Sequence, residues 1–200
     1  EEVAAGVAKI ASEAGIDVHV ARARDLAGPN LHARARAFRY SFFETIARDN
    51  NADRIATGHT LDDRVETTIA RLIHGGGPRV LAGLRPIDGM RARPLISLRR
   101  SETRDYCDQR GLTYVDDPSN DDLRFERARV RNELLPAIEK NWSSGAIDAI
   151  ATSIDRITED ADAIDGIVDA LYPTIASTSA NGARFDLEDI RRLPRALRRR

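Results

Sequence analysis

Two periodicities alternate along the first 115 residues, and this alternation limits the fold more than any other feature. Residues 1–14 (EEVAAGVAKIASEA) read as an alanine-rich helix stopped by Gly15, a residue suited to the left-handed turn that closes helices. Ile16, Val18 and Val20 then alternate as in a strand. After the GPN break at 28–30, Asn30 is placed to cap a helix from Leu31 to Asp49, with Phe38, Phe42 and Ile46 on one face. A short strand over Arg54–Thr57 follows. Thr60 then caps a helix over 61–74 whose apolar face is Val65, Ile69, Leu72 and Ile73. Beyond an irregular stretch, Ser101 opens a helix to Arg110, Gly111 closes it, and Leu112–Val115 form a strand. Strands alternating with helices predict βαβ units: an α/β fold with a doubly wound, mostly parallel sheet. In such sheets ligands lie beyond the carboxyl ends of the strands, here just after Thr57.

The second part of the chain reads differently. A helix over 123–139 is adjusted near Pro136, and residues 145–171 are long enough for one continuous helix before a new start at Pro173. No apolar run reaches the roughly 18 residues that cross a bilayer. Cys107 is the only cysteine, which excludes an intramolecular disulfide and any thiolate-rich metal or cluster site built from this chain alone; a reducing, cytoplasmic setting is the expectation.

Charge is uneven although its sum is −1. Residues 22–48 hold six arginines and two acids, 91–104 five and one, and 124–131 four and one. Residues 148–169 hold seven acids and one arginine. Basic segments ahead of an acidic one suggest a front that faces a polyanion and a solvated rear. Arginine outnumbers lysine 29 to 2. Codon bias accounts for such a ratio, and so does bidentate phosphate recognition.

The densest chemistry is in TGHTLDDRVET, residues 57–67. Thr57, Gly58 and His59 end a strand; Asp62, Asp63 and Glu66 fall in the first turns of the next helix. Helical spacing lets the three acids gather near one surface. Part of this is ordinary helix chemistry, since Thr60 and Asp63 approximate a capping box and acids favour the positive helix end. One acid meets that need. Three acids beside a histidine repel one another and call for a cation, either magnesium or a substrate ammonium. His19, His32 and His74 read as structural, and Gly75–Gly77 as a flexible connection.

These residues carry a resemblance. ATGHTLDDRVETTIARLIHGGG is similar to the signature after the fourth strand of the tRNA(Ile)-lysidine synthetases, within the PP-loop ATP pyrophosphatase group, whose fold is adenine nucleotide alpha-hydrolase-like. RARAFRYSFF before it, and RPLI, DDPSNDDLRFERARVR and LLP after it, match in order and spacing over about residues 30–140. The resemblance implies use of ATP and Mg2+ to adenylate carbon 2 of the wobble cytidine in tRNA(Ile) with a CAU anticodon. Free L-lysine then displaces AMP through its side-chain amine. It places Arg36, Arg39, Tyr40, Thr57, Gly58 and His59 at the nucleotide, Asp63 and Glu66 on the lysine α-ammonium, and Asp62 in an assisting role, through the metal. His59, Asp62, Asp63, Arg127 and Arg131 are its catalytic set. Arg93, Asn120, Arg127, Arg129 and Arg131 line the active site or the RNA approach. Steps of two along a helix fan Arg127, Arg129 and Arg131 apart, so one narrow ridge is not expected. A homodimer is the expected assembly, with no membrane partner.

The family's Ser-Gly-Gly-x-Asp-Ser loop and the strand that follows it are absent, and the chain starts at Glu1, where the helix after that strand belongs. The expectation is an internal piece, inactive alone: a partial nucleotide-binding domain over 1–140, a helical linker over 141–172, and the start of a tRNA-binding domain over 173–200. Three rivals remain: a thiolase-like enzyme of the same group, disfavoured by the single cysteine; a non-catalytic RNA-binding module whose acids are only caps; and an ATP-dependent amide ligase acting on a small acid, which would not need the basic segments.

Overall fold

The computed structural model describes residues 2–23, 31–116, 122–179 and 182–200. They form two compact units, one of Glu1–Arg64 with Leu84–Asn132 and one of Val65–Gly83 with Glu133–Arg200.

In the first unit, α1 (Glu2–Glu13) and α2 (Leu31–Asp49) have nearly the bounds their periodicity predicts. The expected cap Asn30 lies outside the described residues. Strand β1 (Ile55–Ala56) pairs in parallel with β3 (Arg91–Ala92), and β3 pairs antiparallel with β2 (Ile87–Asp88), in the order β1-β3-β2. The backbone N–H of Ile55 donates to Met90 and that of Thr57 to Ala92, at 2.8 and 2.9 Å. The parallel pair therefore ends at Thr57, where the ligand-bearing strand end was expected.

The α/β class holds, but the sheet is smaller than the doubly wound one the pattern predicts. Residues 16–20 and 112–115 are not strands. Ile16, Val18, Val20, Leu112, Tyr114 and Val115 are all exposed. Alternation gives a segment two faces, but a strand also needs a neighbouring backbone to take its N–H and C=O groups.

The remaining elements of this unit are the first turn of α3 (Leu61–Ile73), α5 (Arg100–Gln109) and α6 (Glu126–Arg129). Its buried apolar residues include Ala47, Leu84, Ile96, Ala128 and Val130. Helix α5 begins one residue before the expected cap Ser101; there the carboxylate of Glu102 accepts the backbone N–H of Arg99 at 2.6 Å.

The second unit is organised by α8 (Ala146–Ile175), 30 residues and therefore about 45 Å long. It buries Ile147, Ala151, Ile154 and Ala161 along one side, while Asp155, Glu159, Asp160 and Asp169 face solvent, as the acidic run predicts. The helix runs on past the start expected at Pro173, which falls in its last turn. Helix α4 (Pro78–Leu81) packs against α8. The Thr68 hydroxyl ties α3 to α4 through the Leu81 carbonyl at 3.1 Å. The expected apolar face of α3 is buried at Val65 but open in the last turn, where Leu72 and Ile73 are exposed.

Of Gly75–Gly77, expected as a flexible connection, the first two make backbone hydrogen bonds to the end of α3. Gly75 takes φ +75°, the left-handed region that glycine enters without strain, and its N–H and that of Gly76 bond back to Leu72 and Arg71.

The single helix expected over 123–139 is interrupted. Between α6 and α7 (Leu135–Asn141), residues Val130–Leu134 adopt one π-helical stretch. Pro136 has no N–H to return to residue 132, and its ring crowds that carbonyl; a widened turn relieves both. Trp142, the chain's only tryptophan, follows α7 and is 77% exposed. The hairpin of β4 (Ala176–Ser179) and β5 (Gly182–Phe185) then packs Phe185 edge-on against Tyr172. Helices α9 (Leu187–Arg192) and α10 (Arg195–Arg198) end the unit. No described helix is long and apolar enough to cross a membrane.

Candidate functional site

The strand end and the helix start are joined by short side-chain contacts. The Thr57 hydroxyl lies 2.8 Å from Nδ1 of His59. One residue on, Thr60 opens α3: its backbone N–H and its hydroxyl both donate to Oδ2 of Asp63, at 2.7 and 2.9 Å. This is the capping contact the sequence predicts, and it occupies only one carboxylate oxygen.

The other oxygen of Asp63 gathers arginines. Arg127 donates to Oδ1 at 2.7 Å, Arg100 at 3.2 Å and Arg131 at 3.3 Å. Arg127 and Arg131 are four residues apart and share a helix side, so the expected fanning applies to Arg129 alone. The Arg129 guanidinium donates to the carbonyls of Leu123 and Arg124, at 3.0 and 3.2 Å. It braces the loop before α6.

Asp62 has different partners. Its Oδ2 accepts the backbone N–H of Arg100 at 2.6 Å, and its Oδ1 pairs with Nε of Arg99 at 3.4 Å. The charge balance that Asp62 and Asp63 require is thus met by guanidinium groups within the chain. This bears on magnesium. Asp62 already holds a backbone donor and a cation, and among the described residues no three His, Cys, Asp or Glu side chains come together to hold a metal. A magnesium at Asp62 would have at most one or two carboxylates, with water and phosphate oxygens completing its shell. Glu66, the third acid, is 1% exposed and lies in the second unit.

These contacts set the protonation states. Burial raises the Asp63 pKa, but the Thr60 N–H, Arg127, the Thr60 hydroxyl and Arg100 together hold it below the ordinary 3.8. His59 moves in the sense of a neutral ring. Burial is the largest cause of its lowered pKa; Arg93, Arg127 and Arg36 add to it, and Asp63 opposes them. At neutral pH the site therefore holds an ionised carboxylate beside an uncharged imidazole.

The remaining predicted residues separate by exposure. The Arg36 guanidinium donates to the Tyr40 hydroxyl at 3.2 Å and lies 4.7 Å from the Tyr40 ring centre; Arg91 lies 4.5 Å from it. Arg39 is exposed on the same helix. A Cβ at Gly58 would meet nothing within 4 Å, so the backbone there is open to a bound group. Arg93, expected along the RNA approach, is only 4% exposed. It donates to the Arg85 carbonyl and pairs with Asp88, so it acts on His59 through its field. Asn120 lies outside the described residues.

Two members of the site were not among the expected residues: Arg99 and Arg100. The basic run at 91–104 was the available signal. Which of its arginines reach the acids depends on a backbone contact 38 residues long in sequence.

Comparison with known proteins finds relatives over most of the chain. The curated tRNA(Ile)-lysidine synthase of Leifsonia xyli subsp. xyli is 36% identical, over 100% of this chain and 60% of that protein. That of Mycobacterium tuberculosis (strain H37Rv) is 37% identical over 92% of this chain and 56% of its own length. That of Geobacter sulfurreducens is 35% identical over 86% and 37%. The chain thus spans about three-fifths or less of these relatives. Among solved structures, the U34-tRNA thiolase NcsA from Methanococcus maripaludis with its 4Fe–4S cluster aligns with a TM-score of 0.62 at 17% identity. The alignment covers 79% of this chain and 56% of that one, a likeness of fold. A family model described as the PP-loop domain matches residues 1–138, the stretch that holds β1, the Thr57–His59 strand end and every arginine gathered on Asp63. By that match, the chain belongs to the PP-loop domain family.

Proposed function

We propose that this chain carries the catalytic part of a tRNA(Ile)-lysidine synthase. In this reading ATP adenylates the carbon-2 carbonyl oxygen of the wobble cytidine in tRNA(Ile) with a CAU anticodon. The oxygen attacks the α-phosphorus and pyrophosphate leaves. The ε-amine of free L-lysine then attacks carbon 2, AMP departs with that oxygen, and the amine loses a proton to give lysidine. The observation that carries the reading is the convergence of Arg100, Arg127 and Arg131 on Asp63, next to an uncharged His59.

Both steps need such a site. Pyrophosphate departure is helped by fixed cations aimed at the phosphates. The lysine amine has an ordinary pKa of about 10.4, so only about one molecule in 10³ is nucleophilic at pH 7. An uncharged imidazole can accept its proton, which His59 supplies. Asp63, with Glu66 one helical turn further along α3, takes the α-ammonium at the far end of the lysine. Arg36, Tyr40, Thr57 and Gly58 face the nucleotide. Magnesium, when bound with the nucleotide, would offset charge on the departing pyrophosphate. The exposed basic segments face the RNA.

The test uses the natural full-length protein, ATP, radiolabelled lysine and a tRNA(Ile) transcript. Label should be retained on the transcript and be lost when the wobble cytidine is replaced by uridine. Absence of label under conditions where ATP is bound would overturn the reading. Glu66→Gln should weaken lysine affinity while sparing tRNA affinity. If it spares both, the acid is structural and the non-catalytic RNA-binding reading gains.

A further inference from the structure

The proposed function counts Arg100 among the cations gathered on Asp63 without naming what it binds, and the geometry of the acid pair points to a ligand and to the residue that places it. Resting on the reading that this site handles ATP, we propose that Arg100 is a third polyphosphate-binding guanidinium. Asp62 is then the positioning residue that sets it in place.

Asp63 accepts two hydrogen bonds from Thr60 on Oδ2 and three from guanidinium groups on Oδ1. A carboxylate offers about four lone-pair directions. Five donors on one carboxylate leave some contacts long, and those from Arg100 and Arg131, at 3.2 and 3.3 Å, are the long ones. A polyphosphate has more oxygens and more charge than a carboxylate and matches the planar fork of arginine. Long, shared contacts to Asp63 yield to it readily. The three side chains are 28%, 40% and 20% exposed for Arg100, Arg127 and Arg131, so an incoming anion can reach them.

Arg100 reaches the cluster by a route unlike the other two. Its backbone N–H, at the first residue of α5, donates to Asp62 at 2.6 Å. Asp62 belongs to α3, so α3 caps α5 and fixes where the Arg100 side chain begins. Neighbouring acids thus hold the two ends of one residue: Asp62 the main chain, Asp63 the guanidinium. Asp62 needs an acceptor oxygen for this role and does not need its charge.

The experiment measures steady-state kinetics of the full-length protein with ATP and lysine varied separately. Arg100→Ala should raise the KM for ATP about tenfold, the loss of one charge-assisted contact, while the KM for lysine changes less than about twofold. Asp62→Ala should reproduce that pattern. Asp62→Asn keeps an oxygen for the Arg100 N–H and should return the KM for ATP to within about threefold of wild type. Arg100→Gln, close to arginine in stem length, repeats the measurement should the alanine variant lose its helical circular dichroism. An ATP KM within about twofold of wild type in both Arg100 variants overturns the assignment. So does Asp62→Asn being as impaired as Asp62→Ala, which would mean that the charge is what matters. Failure of the wild-type protein to bind ATP overturns the functional reading instead, and is told apart because no substitution is involved.

Discussion

Arg127 and Arg131 donate to the same oxygen of Asp63, at 2.7 and 3.3 Å, from positions four apart in the chain. One carboxylate in the first turn of α3 thereby fixes two side chains that lie more than 60 residues later in the sequence. Removing the carboxylate should cost stability as well as function. Asp63→Asn keeps an acceptor for Thr60 but takes the anion away from three guanidinium groups. We expect a loss of about 1–3 kcal/mol, the range for hydrogen bonds to charged groups, read from urea unfolding followed by circular dichroism. A loss under about 0.5 kcal/mol, the size of an ordinary surface change, would mean that the arginines draw no stability from Asp63.

His59 and Asp63 predict two separate pH windows. His59 has a folded pKa below 6.5, so the unfolded chain binds the extra proton first; stability falls as pH drops from 6.5 toward the folded value and is flat below it. Asp63 has a folded pKa below 3.8, so its contribution is complete above that value and is lost as pH falls through the folded pKa. His59→Asn should flatten the first decline and leave the second, and Asp63→Asn the reverse. Thermal midpoints across pH 3–7.5 provide the check; declines that neither substitution alters would place the titrations elsewhere.

Neighbouring glycines should respond oppositely. A Cβ at Gly76 would lie 3.0 Å from the Arg71 carbonyl oxygen and 3.1 Å from a Val80 methyl, whereas one at Gly77 would meet nothing within 4 Å. Gly76→Ala is expected to destabilise by about 1–3 kcal/mol. Gly77 has φ −78°, open to any residue, and Gly77→Ala should be neutral or stabilising by up to about 1 kcal/mol. Equal effects would contradict the tight turn.

Arginines two residues apart should divide in RNA binding. With no ATP present to claim its guanidinium, Arg127→Ala should lower the salt dependence of tRNA affinity by about 0.7–0.9 in log–log slope, one phosphate contact. Arg129, turned to the carbonyls of Leu123 and Arg124, should leave the slope unchanged when replaced by alanine. Filter binding at several salt concentrations separates them, and a matching slope change in both would give Arg129 a phosphate of its own.

Local chemistry was legible in the sequence. The bounds of α2 and α3 and the capping of α3 by Thr60 and Asp63 follow from contacts a few residues long. Contacts between distant segments were not. Residues 16–20 have the pattern of a strand, but pairing depends on a neighbour that periodicity does not specify. Arg100 looked like any other arginine of a basic run because its decisive contact is made by a backbone N–H. Asp62 suggested a metal ligand for a related reason: the guanidinium groups that answer the acids come from Arg99, Arg100, Arg127 and Arg131, far along the chain. The π-helical stretch at Val130–Leu134 carried only one clue, Pro136.

Trp142 decides how this protein can be watched in solution. With its lone indole already 77% open to water, the intrinsic emission of the native state should sit near the long-wavelength limit, and denaturation will barely shift its colour. The same exposure makes that indole a ready fluorescent reporter: a ligand or macromolecule settling beside α7 should quench or blue-shift it.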